Sequence, residues 1–257
     1  MFTHLIANGD SFTAGDEMPD HSRDNRIRSN HTWAPVLTRA LNIPVLGNIA
    51  WGANSPQAIA RTTIESLHDL VTSLGVQPQG VLVGIMWGIV NRFEYVHQDR
   101  PGEWVPIYPT LAARGDAKAT QWYKNFFSDY YGAYNYLESI RSLQSFLREH
   151  GFPFFMTTVC SPFDPSGKED GYCDNPRLNY LRDLIDWESF YFVPHPSNAA
   201  CGFRTWGVDN GYPTYPGHHL KEAAHADYVR MHLAPWVAKR FGFSLASEGI
   251  QQDRISA

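Results

Sequence analysis

The sequence predicts an α/β protein with a central parallel sheet covered by helices on both faces. Apolar runs of strand length recur at 2–8, 43–51, 80–88 (GVLVGIMWG) and 152–160 (FPFFMTTVC). The last two are almost unbroken in apolar residues, as in strands buried on both sides. Between the runs lie stretches with helical spacing, so strand and helix alternate, the order that builds a parallel sheet. Gly9-Asp10-Ser11, Gly52, Gly88 and Cys160-Ser161 all fall just past the end of a run. In an open parallel sheet these points share the carboxyl edge, where sites form.

Each element has its own justification. WAPVLTRALN (33–42) carries apolar residues at helical spacing, with Asn30 or Thr32 placed to cap it. PQAIARTTIESLHDLVTSLG (56–75) reads as a long amphipathic helix, and 121–150 as another that stops at Gly151. GHHLKEAAHADYVRMHLAPWVAKRFG (217–242) reads as the closing helix, kinked or split at Pro235. Two stretches, about 92–120 and 161–212, lack periodicity and are rich in Pro, Gly, Asp, Tyr and Trp. Long insertions of this kind are often binding walls or lids, and both follow strand ends, over the same sheet edge. The expected organisation is one domain over 1–245 with a polar tail at 246–257.

Composition narrows the function. The chain has 257 residues, 43% hydrophobic and 18% charged, with a net charge of −5, which suits a folded protein with a large core. No cationic block marks a nucleic-acid partner. No run reaches the ~18 apolar residues of a membrane span, and no signal peptide is evident; a soluble protein is expected. Cys160, Cys173 and Cys201 form no CxxC pair, and no His-x-x-x-His with an intervening Glu occurs, so neither metal nor cofactor is expected.

HLIANGDSFTAGDE (4–17) is the stretch with chemical promise. If the strand turns straight into a helix at Gly9-Asp10-Ser11, Ser11 gains first-turn amides suited to negative charge. A serine nucleophile also needs a base within reach. The same residues equally describe an ordinary turn and helix cap.

NGDSFTAGDE resembles the first block of the SGNH (GDSL-type) hydrolases, and more closely the segment opening a group of phage-encoded proteins of that superfamily. The similarity runs from Thr3 to about Trp236, outside the two insertions. It implies a flavodoxin-like three-layer α/β/α sandwich and makes Ser11 the nucleophile. NIAWGANSPQ is similar to the second block, which makes Gly52 an oxyanion donor with Asn54 behind it. The third block departs: VGIMWGIVNRFEY has Trp87-Gly88 where the family places Asn. Asn91 is then the candidate replacement donor. Arg92-Phe93-Glu94 resembles an Arg-x-Glu of the related phage sequences, which makes Arg92 a substrate-binding candidate, while Arg92 and Glu94 equally suit a structural ion pair. Asp10 joins the substrate-binding candidates.

The last block has two registers. In one, His219 is the base, HLKEAAH matches the spacing to the family's second His, and the usual Asp is missing. His218 is the fallback and Asp209 a recruited orienter. In the other, DNGYPTYPGH matches, and Tyr212 replaces the base, leaving a binding scaffold. HPSN (195–198) is treated as loop. The resemblance thus implies a serine esterase acting on a small-molecule or polysaccharide ester, an O-acetylated carbohydrate above all. The alternative is a degraded relative serving as a virion or carbohydrate-binding component, beside other phage virion proteins or in the host cytoplasm. A nucleotide or flavin binder is disfavoured because the loop lacks either glycine-rich phosphate spacing.

Overall fold

The opening apolar run becomes β1 (His4–Gly9), flanked on either side by parallel neighbours. In this computed structural model, which describes residues 2–163 and 172–245, β2 (Val45–Asn48), β3 (Val81–Trp87) and a later strand, Phe154–Thr158, complete the sheet. The order is β2-β1-β3 and then Phe154–Thr158, all parallel.

Side chains alternate strictly across this sheet, as the period of two requires. Leu5, Ala7, Leu82 and Phe155 face one layer, and Ile6, Val83, Ile85 and Met156 face the other. The first layer is α2 (Trp33–Ala40) with the closing helix; the second is α3 (Pro56–Leu74) with Asp129–Glu149. This is the three-layer α/β/α sandwich that the resemblance implied. The one-turn α1 (Ser11–Ala14) follows β1 directly.

The insertions hold more regular structure than their sequences suggested. The first contains an antiparallel hairpin, β4 (Phe93–Val96) and β5 (Trp104–Ile107), then α4 (Pro109–Ala113). Four-residue strands are too short to declare a period. The helix expected over 121–150 is two, α5 (Ala117–Asn125) and α6 (Asp129–Glu149). The break comes at Ser128, whose hydroxyl caps α6 by accepting from the Tyr131 N–H at 3.2 Å.

β6 (Phe154–Thr158) closes the sheet. The second insertion, where described, holds only α7 (Asn179–Arg182), α8 (Phe203–Asp209) and short 3₁₀ turns. The closing helix is α9 (Glu222–Tyr228), a π turn (Val229–Leu233) and α10 (Ala234–Phe241). Pro235 has no N–H to donate to the preceding turn, and the wider π turn ahead of it takes up the misfit. The tail proposed at 246–257 lies outside the described residues. Among the described residues, no helix is long and apolar enough to cross a membrane.

Candidate active site

Ser11 sits where the sequence placed it, at the first position of α1 immediately beyond β1. The turn is tight enough to need Gly9: a Cβ there would lie 2.3 Å from Thr13 Oγ1 and 2.7 Å from the Met86 carbonyl. Asp10 caps α1, its Oδ1 accepting from the Phe12 N–H at 3.0 Å. Its Oδ2 accepts from Arg92 Nη1 at 2.7 Å, and the carboxylate is fully buried. Gly15, at φ +89°, ends the helix after a single turn.

The two ends of the chain meet here. His219 Nδ1 lies 2.6 Å from Glu17 Oε2, while the Gly217 N–H donates to Glu17 Oε1 at 2.8 Å. Gly217 must be glycine for that approach, since a Cβ would fall 2.5 Å from Glu17 Oε2. The imidazole also packs on the Phe12 ring, with centroids 4.9 Å apart. Burial opposes ionisation of Glu17, but the bonds from His219 and the Gly217 amide outweigh it and hold the carboxyl below its ordinary range. Glu17 and His218 both lie in the left-handed region, at φ +71° and +68°. Such backbone costs about 1 kcal/mol or more per residue and persists where surrounding contacts over-determine it; the clamp through Gly217 and His219 does that.

With Nδ1 committed to Glu17, Nε2 is the ring nitrogen able to take a proton. Ser11, Phe12, His218 and His219 line one cavity of about 510 Å³ at the carboxyl edge of the sheet. Every strand end contributes: Ser11 after β1, Ala53 after β2, Ile89 and Arg92 after β3, Cys160 after β6.

Several expectations need correction. Asp209 does not orient His219; its Oδ2 lies 3.0 Å from Nε2 of His195, on the HPSN loop. Tyr212 does not replace the base either. Its hydroxyl donates to Asp227 Oδ2 at 2.8 Å and its ring packs at a tilt against Trp206, with centroids 5.1 Å apart. Gly52 packs against the Asp16–Arg23 pair, leaving neighbouring Ala53 to reach the cavity wall. Asn54 instead donates to the Gly9 carbonyl at 3.0 Å and so braces the β1 turn. Asn91 is not among the lining residues, and its carbonyl accepts from the Tyr123 hydroxyl at 2.5 Å. Arg92 and Glu94 are not partners: Arg92 holds Asp10, while Glu94 binds Arg61 at 2.8 and 3.1 Å.

The second His of the last block has a structural task. His225 is fully buried, and its Nδ1 accepts from the Trp33 N–H at 3.1 Å, capping α2 where the Thr32 side chain does not. Desolvation, with a smaller push from His219, lowers its pKa to about 3. Because the unfolded chain binds this proton near an ordinary ~6.5 and the folded one does not, stability is present above that value and is lost as pH falls toward 3. Urea denaturation between pH 7 and 5 should show a loss of about 2 kcal/mol from this group. His225→Asn, less stable at neutral pH, should lack that component of the slope.

Glu17 was legible only as part of the quoted block, without a role. Its signal is placement two residues past the helix-ending Gly15. Arg23, Tyr108, Arg114 and Arg204, which also line the cavity, carry no local signature at all.

Fold and site together define a three-layer α/β/α protein with a serine- and histidine-lined cavity at its sheet edge. The chain belongs to DUF6071, a family of unknown function, whose model matches residues 16–239. No curated protein sequence matches. Among solved structures, it is similar to protein YXIM from Bacillus subtilis (TM-score 0.50, 13% identity), covering 96% of this chain and 58% of that one. It is also similar to a member of the lipolytic G-D-S-L family from Veillonella parvula DSM 2008 (0.47, 15%, covering 93% and 98%). A third is Axe2, an acetylxylan esterase from Geobacillus stearothermophilus (0.46, 16%, covering 96% and 97%).

Proposed function

We propose that the protein is a serine ester hydrolase. The observation that carries this is the arrangement Ser11, His219, Glu17: nucleophile and imidazole on one cavity, the imidazole tied by Nδ1 to a carboxylate at 2.6 Å. Glu17, from the opening block, supplies what the Asp missing from the closing block would have supplied.

Ser11 Oγ attacks the ester carbonyl as its proton passes to His219 Nε2, forming a tetrahedral adduct. The Ser11 N–H, a first-turn amide without an intrahelical acceptor, faces the developing oxyanion. Arg92, four residues beyond Gly88 and bonded to Asp10, lines the same wall. Collapse of the adduct expels the alcohol, which takes the proton from His219; water then repeats the sequence on the acyl-serine and releases the acid. O-acetylated carbohydrate is the substrate class in view, supported by the rings of Phe12 and Tyr108 on the cavity wall. The binding-scaffold alternative rests on the absent third-block Asn, on the Asp missing before His219 and on the register with Tyr212 at the base position. Glu17 at His219 and the engagement of Tyr212 with Asp227 weigh against the last two.

Diethyl p-nitrophenyl phosphate tests the proposal directly. Attack by Ser11 forms an O–P bond and expels p-nitrophenolate, so mass spectrometry should find one diethylphosphoryl group on the peptide containing Ser11. Hydrolysis of p-nitrophenyl acetate that survives labelling, or label on another residue, overturns the assignment.

A further inference from the structure

The cavity wall is unusually cationic for this chain. Overall the protein carries 21 Lys and Arg against 26 Asp and Glu, yet Arg23, Arg92, Arg114 and Arg204 all line this one cavity, and no lysine does. The only carboxylate among the lining residues is Asp16. It is engaged by Arg23 at 3.2 Å and His21 at 3.3 Å. Asp10 lies fully buried beneath Arg92, and Glu17 is held by His219. Arg114, exposed at the end of α4, has no carboxylate partner among the described residues.

The origin of these groups matters as much as their sign. Ser11, Phe12 and His219 come from the β1 turn and the loop before α9, whereas Arg92, Tyr108, Thr110 and Arg114 come from the first insertion. The insertion therefore contributes two guanidinium groups, Arg92 and Arg114, to the cavity that Ser11 lines. A guanidinium presents a planar fork of donors that pairs bidentately with carboxylate or phosphate oxygens, which a lysine cannot do. Low-dielectric walls concentrate the field of such groups inside a cleft. A neutral substrate lying against Arg114 would strip water from that guanidinium without offering it a partner, a costly exchange.

Building on the ester-hydrolase reading, we propose that the site selects esters bearing an anionic oxygen group, a carboxylate or phosphate, beside the scissile bond. Arg114 is the contact that carries the selection, its guanidinium lining the same cavity as Ser11. An acetylated acidic sugar is the natural form of such a substrate.

The probes are 4-acetoxybenzoate, 4-acetoxyphenyl phosphate and the neutral 4-acetoxybenzamide. Wild-type enzyme should prefer an anionic probe over the amide in kcat/KM by roughly tenfold or more, a preference that shrinks as NaCl is raised. Arg114→Gln should bring the ratio toward unity, and Arg114→Lys should retain part of it. The larger response between the two anions tells carboxylate from phosphate recognition. Calorimetric binding of the same probes to Ser11→Ala reads recognition without turnover. If no probe is hydrolysed but the anions still bind preferentially, the hydrolase reading fails and the anion site stands. Equal treatment of anion and amide in both assays, or a preference untouched by Arg114→Gln, overturns the inference.

Discussion

Ser11→Ala and His219→Ala should each lower kcat/KM for p-nitrophenyl acetate by on the order of 10⁴-fold. In the proposed mechanism, alanine at position 11 removes the atom that forms the acyl bond, and alanine at 219 removes the proton acceptor. Because the two act as a unit, the double variant should lose little more than either single one. Glu17→Gln probes the third member. It keeps an acceptor beside Nδ1 but removes the charge that stabilises the imidazolium, so kcat should fall by about 10²-fold with KM little changed. The loss is set below that of a buried orienter because the Glu17 side chain is 29% exposed. Glu17→Asp should recover part of the rate. A purely structural Glu17 would leave kcat of the folded Glu17→Gln protein at the wild-type value, and stopped-flow rates on variants checked by circular dichroism distinguish the two.

The second large effect is on stability. Arg92→Ala leaves the Asp10 carboxylate, fully buried and bonded at 2.7 Å, without its cation. Breaking a buried pair by removing one partner costs about 3–5 kcal/mol. The Phe12 N–H still donates to Asp10, so the low end applies. For a chain of this size ~3 kcal/mol lowers Tm by roughly 6–12 °C. The pairing of Asp10→Asn with Arg92→Met should restore much of that loss, because Asn keeps the cap on α1 and no unpaired charge remains. Differential scanning calorimetry of the two single variants and the double one measures the coupling. An Arg92→Ala protein as stable as wild type would show the pair to be energetically idle.

What could be read in the sequence followed from local physics. Val81–Trp87 and Phe154–Thr158 are so apolar that only burial on both faces suits them, and alternation with helices then left the parallel sandwich as the outcome. The turn at Gly9-Asp10-Ser11 was equally local, because a glycine strand end and a capping Asp are properties of neighbouring residues. Short strands escaped notice where hairpin residues such as Phe93–Val96 span too few positions to show a period.

The electrostatic partners were not local. His219 and Glu17 are 202 residues apart, and Arg92 and Asp10 are 82 apart. A charge pair depends on through-space distance and on what excludes water around it, and neither is written in spacing along the chain. The closing block therefore pointed to a missing Asp and nominated Asp209, which the fold gives to His195. His225 shows the same division from the other side. Its spacing from His219 was visible, but only burial beside the α2 amino end made it a neutral acceptor for the Trp33 amide. By itself the sequence determined the sheet, the helices and the serine at the strand tip. Only the tertiary structure decided which carboxylate serves the imidazole and which cations face the cavity, because Coulomb and hydrogen-bond energies are set by distance and burial, and folding alone supplies both.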